Sequence, residues 1–424
     1  MNLKKQYVIN IPYMHPICPM SLSHARIFLV ADIIGRYKEK EGFEVYLPIG
    51  AHYSGKQVID IFNDLQIYIK KAETEKIKKY STPWLFLDYY KMSSADLKKF
   101  YNPQSILEFF SNQQINNLKK LKTKFNFNRF YNTKNPKYDS FVKQLFKKYE
   151  HKNLIIKTKE GRAINFNKEG WKDLAVKQLN KIKIIRRGGE KILENSILNL
   201  GENWNFEREV GVGTKINGKI INPMFDSQLY NLFESERFNY KLPVNVFIAE
   251  THLSTWLASK ILMETAMLNK NQITKSYFLL GLAFTKDRKK MSSSRGTSIL
   301  LPDLLEKHGA EVTRISIILA GHPNKDFFWD NKILEDTKNI IRRFRKFEIE
   351  SSSFEKKSNN KINEIIRINK MLIKNNLERG DLRKACIMGL IVFPEEIKKL
   401  KLNNGDSQIK EHLEYITYIF LPKK

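Results

Sequence analysis

Pro12-Tyr13-Met14-His15-Pro16, Ser21-Leu22-Ser23-His24-Ala25-Arg26 and Gly50-Ala51-His52-Tyr53-Ser54-Gly55 follow one another near the start of the chain. Regular elements separate them. Ahead of Pro12, Tyr7-Val8-Ile9-Asn10-Ile11 is β-branched and apolar, the pattern of a buried strand that stops at the proline. From His24 to Lys40, apolar residues recur at Ile27, Val30, Ala31, Ile34 and Tyr37, which is helical spacing. Glu44–Pro48 reads as a second strand. Strand, long loop, helix and strand in this order open a nucleotide-binding βαβ unit, whose helix start offers backbone N–H groups and its dipole to phosphate.

Working outward, the next informative stretch lies far downstream. Tyr277–Leu282 reads as a strand leading to the basic, serine-rich loop Lys290-Met291-Ser292-Ser293-Ser294-Arg295-Gly296. Taken together, these segments resemble the class I aminoacyl-tRNA synthetases, most closely the leucyl enzyme of the archaeal and eukaryotic type. The family's His-x-Gly-His with a following Ala-Arg falls on Ser21-Leu22-Ser23-His24-Ala25-Arg26. Its Lys-Met-Ser-Lys-Ser falls on Lys290-Met291-Ser292-Ser293-Ser294. Between them, Arg208-Glu209-Val210-Gly211-Val212-Gly213-Thr214, Asp226-Ser227-Gln228-Leu229-Tyr230 and Thr251-His252-Leu253 resemble three further motifs. Beyond the loop, His322-Pro323-Asn324-Lys325-Asp326-Phe327-Phe328-Trp329 matches another. The resemblance covers about residues 6 to 345, with gaps.

The resemblance implies an α/β fold: a Rossmann-like, parallel-sheet, nucleotide-binding catalytic domain followed by a small C-terminal helical domain. The first would span 1–330, with halves at 1–150 and 200–330 joined by a short connective insertion at about 80–200. The second, 331–424, looks like a shortened version of the family's tRNA-binding helices. Where leucyl enzymes insert an editing domain, this chain has only a hairpin, Leu154-Ile155-Ile156 and Ala163-Ile164-Asn165-Phe166 around Glu160-Gly161-Arg162, before a helix at Trp171.

Local reading fills in the rest. A helix is expected over Lys56–Lys79, another from Asn102 to about Leu121, and a core strand at Val244–Ala249. A helix follows Thr251 to about Met267, with others at Leu301–His308, Thr313–Ala320 and Asn331–Phe347. A polar linker, Ser351 to Asn360, comes next. Lys91-Met92-Ser93-Ser94 copies the later motif in letters only. It precedes Ala95-Asp96-Leu97 and reads as a serine helix cap.

A chain of 424 residues has room for two or three domains. It contains no uninterrupted apolar run of membrane-spanning length, and its first residues lack the apolar core of a signal peptide. Two cysteines, Cys18 and Cys386, make neither a disulfide framework nor a thiolate zinc site. A cytoplasmic, monomeric protein is expected, with no resident metal. The net charge of +29 suits a polyanion such as tRNA, although abundant Lys, Asn, Ile, Tyr and Phe also reflect an AT-rich coding bias.

Amino-acid activation sends a carboxylate to the α-phosphate of ATP and expels pyrophosphate, so the site needs cationic donors and Mg²⁺. By resemblance, the catalytic residues are His24, Lys290 and Ser21, and ATP binds at Ser21, Ser23, His24, Lys290, Met291, Ser292, Ser293 and Ser294. Tyr13, Met14, His52 and His252 line the amino-acid pocket; His15 and His322 are read as structural. Ser21 stands where the family has its first imidazole, Ser23 where it has a glycine and Ser293 where it has a second lysine. A hydroxyl can bond a phosphate oxygen but carries no charge, and charge-assisted bonds are roughly twice as strong. The resemblance therefore implies an aliphatic aminoacyl adenylate, leucyl in the first instance, with transfer to tRNA or another acceptor. The alternative is a non-catalytic paralogue that binds tRNA or a regulatory partner.

Overall fold

The computed structural model describes residues 4–71, 77–186, 188–267, 272–291, 296–352, 360–400 and 407–422. Along the chain, the elements that position the site are β1 (Gln6–Asn10), α1 (Leu22–Lys40), β2 (Glu44–Tyr46), α2 (Gln57–Lys70), α3 (Pro103–Lys120), β3 (Lys183–Ile185), β4 (Val244–Ala249), α4 (Ala258–Met267), β5 (Thr274–Leu280), α5 (Leu301–Leu319), α6 (Lys332–Ser352), α7 (Asn360–Glu378) and α8 (Ser407–Phe420). The five strands form one sheet in the order β2-β1-β4-β5-β3. Every neighbouring pair is parallel, with Ile9 opposite Asn245, Phe247 opposite Phe278 and Tyr277 opposite Ile184. The expected α/β fold with a parallel nucleotide-binding-type sheet is what the chain adopts.

The central strands are apolar because both faces are covered. Side chains alternate across the sheet: Ile9, Phe247, Phe278 and Leu280 enter one core with α1, α5 and the C-terminal helices. Val8, Val246, Ile248, Tyr277 and Leu279 enter the opposite core with α4 and the helices Pro136–His151 and Trp171–Leu179. Phe247 and Phe278 stack at 4.9 Å with planes 7° apart, locking the register on the first face. A third core packs α2 and α3 around Phe86.

Several elements differ from expectation. β3 lies inside the stretch read as connective, yet it supplies the outer strand of the main sheet. Only three residues long, it gives too short an apolar run to be recognised. α2 stops at Lys70 instead of Lys79, because the apolar period ends at Ile69 and a charged run follows. The expected pair of helices after Leu301 is joined into α5, broken at Gly309, whose φ of 73° no β-branched or bulky residue adopts readily. Helix α6 continues to Ser352, past the first serines of the expected linker; residues 353–359 lie outside the described residues. Ser93 caps a short helix through a reciprocal box with Asp96, as the serine reading required. Among the described residues, no helix is long and apolar enough to cross a membrane.

The C-terminal helices share the α1 core instead of building their own. A buried polar hub fixes them there. Asp32 on α1 accepts from Arg36 Nε at 3.0 Å, Arg314 Nη2 at 2.7 Å and the Lys124 backbone N–H at 2.7 Å. Arg314 donates onward to the carbonyls of Leu121 at 2.9 Å and Phe420 at 3.3 Å. One carboxylate thus joins α1, α5, the turn after α3 and the end of α8. Replacing Asp32 by alanine leaves two buried guanidinium groups unpaired, and urea unfolding is expected to show a loss of about 3–5 kcal/mol.

His412 on α8 reports the pH dependence of the same region. It is buried, it donates from Nε2 to Asn369 Oδ1 at 2.8 Å, and its ring lies 4.5 Å from Phe393 and 5.8 Å from Tyr415. Burial, and secondarily Lys370, lowers its pKa to about 4. The unfolded chain therefore takes up a proton near pH 6.5 that the folded chain refuses until about pH 4. The associated stability is present above pH 6.5 and is lost as pH falls toward 4. Thermal melts should show a steeper decline across that window for the unaltered chain than for His412→Gln.

Candidate functional site

At the carboxyl edge of the sheet, the loop after β1 runs beside Gly50–Gly55. Met14 N–H donates to the Gly50 carbonyl at 3.1 Å, and His52 N–H to the Met14 carbonyl at 2.6 Å. A side chain at position 50 would place its Cβ 2.6 Å from the Tyr13 ring, so only glycine lets that ring lie flat against the backbone. Gly55 in turn exchanges two backbone bonds with Val212, at 2.8 and 3.0 Å. The Arg208–Thr214 motif is thereby attached to the first loop. Replacing Gly50 with alanine should displace Tyr13 and lower the unfolding free energy by about 1–3 kcal/mol, measured by urea titration.

Around Ser21 a second junction forms. Leu22 N–H donates to the Ile299 carbonyl and Leu301 N–H to the Met20 carbonyl, both at 2.8 Å. The start of α1 is therefore pinned to the segment that follows the Lys290 loop. That loop is closed at its base by Met291 N–H on the Ala283 carbonyl at 3.0 Å, and by the Thr297 hydroxyl on the Lys290 carbonyl at 3.2 Å. Arg26 reinforces the junction from below. It is buried over the Phe327 ring at 4.0 Å and donates to the carbonyls of Gly281, Gly321 and His322 at 3.4, 3.2 and 2.8 Å.

These constraints enclose a cavity of about 390 Å³ between β1, β4 and the start of α1. Tyr13, Met14, His24, His52 and His252 all line it, so five of the expected residues meet in one place. Ser21 sits behind its wall as the N-cap of α1: its Oγ accepts from the His24 backbone N–H at 3.4 Å and lies 3.1 Å from His24 Nδ1. Donating to Nδ1, the hydroxyl leaves the proton of a neutral imidazole on Nε2. Desolvation by the cavity walls, and then the His252 imidazole, holds the His24 pKa below its usual value, and desolvation does the same for His252, although both residues keep an exposed face.

The remaining expectations fall elsewhere. Ser23 is half-buried on the first turn of α1 and is not among the cavity residues. Met291 is buried in the core shared with Leu301. Lys290 is exposed beside the rim and acts electrostatically on Glu250, two residues before His252. Ser292, Ser293 and Ser294 lie outside the described residues. His15, read as structural, stands on the cavity wall. Its Nε2 donates to the Ser54 carbonyl at 2.8 Å, while burial and His52 lower its pKa to about 4. His322 keeps a structural place, accepting from the Asn324 N–H at 3.2 Å.

Residues without an expected role complete the wall. His52 is held by Asp226 Oδ1 at 2.9 Å on Nε2 and by Ser54 Oγ at 3.1 Å on Nδ1. Tyr13 stacks on Tyr230 at 4.0 Å. Trp256 Nε1 donates to Ser227 Oγ at 2.8 Å. Asp226, Ser227 and Tyr230 all belong to one quoted motif, and that motif was the available signal. Several of these polar groups pair with one another, the Tyr13 and Tyr230 hydroxyls are buried without an aligned hydrogen bond, and rings and Met14 make up much of the cavity lining.

No protein-family model matches the chain. In sequence it is similar to the leucine–tRNA ligase of Methanopyrus kandleri, 29% identical over 154 residues, which are 36% of this chain and 15% of that protein. It is also similar to the leucine–tRNA ligase of Thermoplasma volcanium, 29% identical over 158 residues, covering 37% of this chain and 17% of the relative. The match thus spans less than a fifth of these relatives' length. In three dimensions the chain is similar to Mycobacterium tuberculosis methionyl-tRNA synthetase bound by methionyl-adenylate. The TM-score is 0.69 with 12% identity, covering 98% of this chain and 89% of that one; at that identity the likeness establishes the fold.

Proposed function

We propose that this chain, class I aminoacyl-tRNA synthetase-like in fold and related over about a third of its length to archaeal leucine–tRNA ligases, activates an aliphatic amino acid with ATP. The observation that supports this reading is the junction of Ser21 with Leu300, which joins the start of α1, where His24 lines the cavity, to the segment that follows the Lys290 loop. In the reaction, a carboxylate oxygen of the amino acid forms a bond to the α-phosphorus. The bond from that phosphorus to the bridging oxygen breaks, and pyrophosphate leaves with the electron pair. His24 Nε2–H donates to a phosphate oxygen at the helix start, and Lys290 brings its ammonium from the other side. Mg²⁺ enters as part of the substrate, on the phosphates of ATP.

Leucine is the favoured substrate, supported by the ring faces and thioether that line the inner wall. In this reading, with a hairpin in place of the leucyl editing insert, discrimination by this cavity against a side chain one methylene smaller is worth about 1–3 kcal/mol. Transfer to a tRNA 3′ end follows in this reading, supported by the net charge of +29. We place the protein in the cytoplasm as a monomer, with 1–330 as catalytic unit and 331–424 as the tRNA-facing helices.

One observation favours a different reading. Ser21, which stands for a phosphate-binding imidazole, is committed to capping α1, and a non-catalytic paralogue binding tRNA or a regulatory partner needs no such donor. Amino-acid-dependent exchange of labelled pyrophosphate into ATP separates the two. Exchange is expected with an aliphatic amino acid and should fall about 100-fold or more in His24→Ala and in Lys290→Ala. Absence of exchange with every common amino acid, alongside tight tRNA binding, selects the binding protein.

A further inference from the structure

The candidate site is short of positive charge. Ser21 is neutral, and His24 and His252 both stand in surroundings that disfavour their charged forms. Lys290 alone is a weak answer to a pyrophosphate leaving group, whose charge grows as the bond breaks. The carboxyl edge of the sheet offers a second cation where none was expected. Arg186 follows directly on β3, the outer strand hidden in the connective stretch, and Glu250 follows on β4 two strands away.

Their side chains meet across the end of β5. Arg186 Nη2 lies 2.7 Å from Glu250 Oε2, with 25% and 12% of the two side chains exposed. Despite that approach, Glu250 Oε2 has no aligned hydrogen bond. Glu250 also feels Lys290 and Asp326, so one carboxylate sits between the loop lysine and the strand arginine. Arg186 also borders an open groove of about 660 Å³, lined by the cations Lys183, Lys325 and Arg379 and by the carboxylates Asp326 and Glu378. A guanidinium carries five N–H donors in a planar fork. Glu250 engages one nitrogen, and the others remain available to a second anion.

We propose that Arg186 is a phosphate-binding residue of the nucleotide site, aimed by Glu250, which supplies the cationic donor that Ser21 cannot. The ligand chemistry is the terminal phosphate oxygens of a nucleoside triphosphate, and of pyrophosphate in the reverse direction. Glu250 is a positioning residue: its carboxylate holds one edge of the fork and leaves the other for phosphate. The assignment rests on the adenylate-forming reading above, and it adds a residue the resemblance does not supply.

The test is calorimetric titration of the full chain with ATP and, separately, with inorganic tripolyphosphate, which removes the adenosine. Arg186→Ala should weaken both by about tenfold or more, the scale of one charge-assisted hydrogen bond, with the Michaelis constant for the amino acid within about twofold of the unaltered value. Arg186→Lys keeps the charge without the fork and should fall between. Arg367→Ala, which removes an exposed arginine paired with Glu364, controls for loss of net charge and should bind as the unaltered chain does. Thermal melts establish that each variant is folded, and the lysine variant carries the test if the alanine variant is not. Equal weakening by Arg186→Ala and Arg367→Ala, or no weakening by either, overturns the assignment while leaving exchange activity and its reading intact. Failure of the unaltered chain to bind ATP overturns both.

Discussion

Two backbone hydrogen bonds between Met20–Leu22 and Ile299–Leu301 are the constraint on which the site depends. Nothing local could bring together segments so distant along the chain, and a few ångströms of slippage would leave each as an ordinary surface loop. Arg26 shows how the protein secures that junction. Its guanidinium is buried under the start of α1 and spent on three carbonyls of two later loops. A buried cation with only carbonyl partners is costly to desolvate, so its place there is evidence of how firmly the loops must be held. The glycines at 50 and 55 serve the same end on the other flank, where the backbone of one loop has to run against the ring or backbone of another.

Electrostatics then narrows what such a junction can do. His15, His24 and His252 are imidazoles whose surroundings disfavour positive charge but which can serve as oriented donors. Ser21 selects which His24 nitrogen bears the proton, and Asp226 with Ser54 immobilises His52. What results is a wall with several internal hydrogen bonds, while Lys290, Glu250 and Arg186 stand outside the residues that line it. Such a division suits a substrate with an apolar tail and an anionic head.

Much of this was legible in the residues. The βαβ opening, the hairpin at Glu160–Arg162, the core strand Val244–Ala249 and the serine cap at Ser93 all follow from local pattern and turn chemistry. Tyr13, Met14, His24, His52 and His252 were nominated by motif position, and the fold gathers them. What stayed hidden has a common physical cause. β3 is too short to show a period, and its burial is decided by a neighbour far away in the chain. Asp32, Arg36 and Arg314 look like helix-surface charges, because a solvated ion pair and a buried hub are spelled with the same letters. Ser21 read as an uncharged phosphate-binding stand-in for an imidazole; the φ and ψ of its own backbone reveal it as a cap.

The hub centred on Asp32 has one more consequence, for how this architecture can change over time. Because Phe420 at the end of the last helix is tied through Arg314 to the first helix, the C-terminal segment is not a detachable cassette. Its loss would strip the apolar flank from α1 and leave the buried Arg314 guanidinium one acceptor short. Recombination that swaps the tail for another helical module would have to carry a matching acceptor for Arg314. Drift in the helical end is therefore coupled to drift in the sheet.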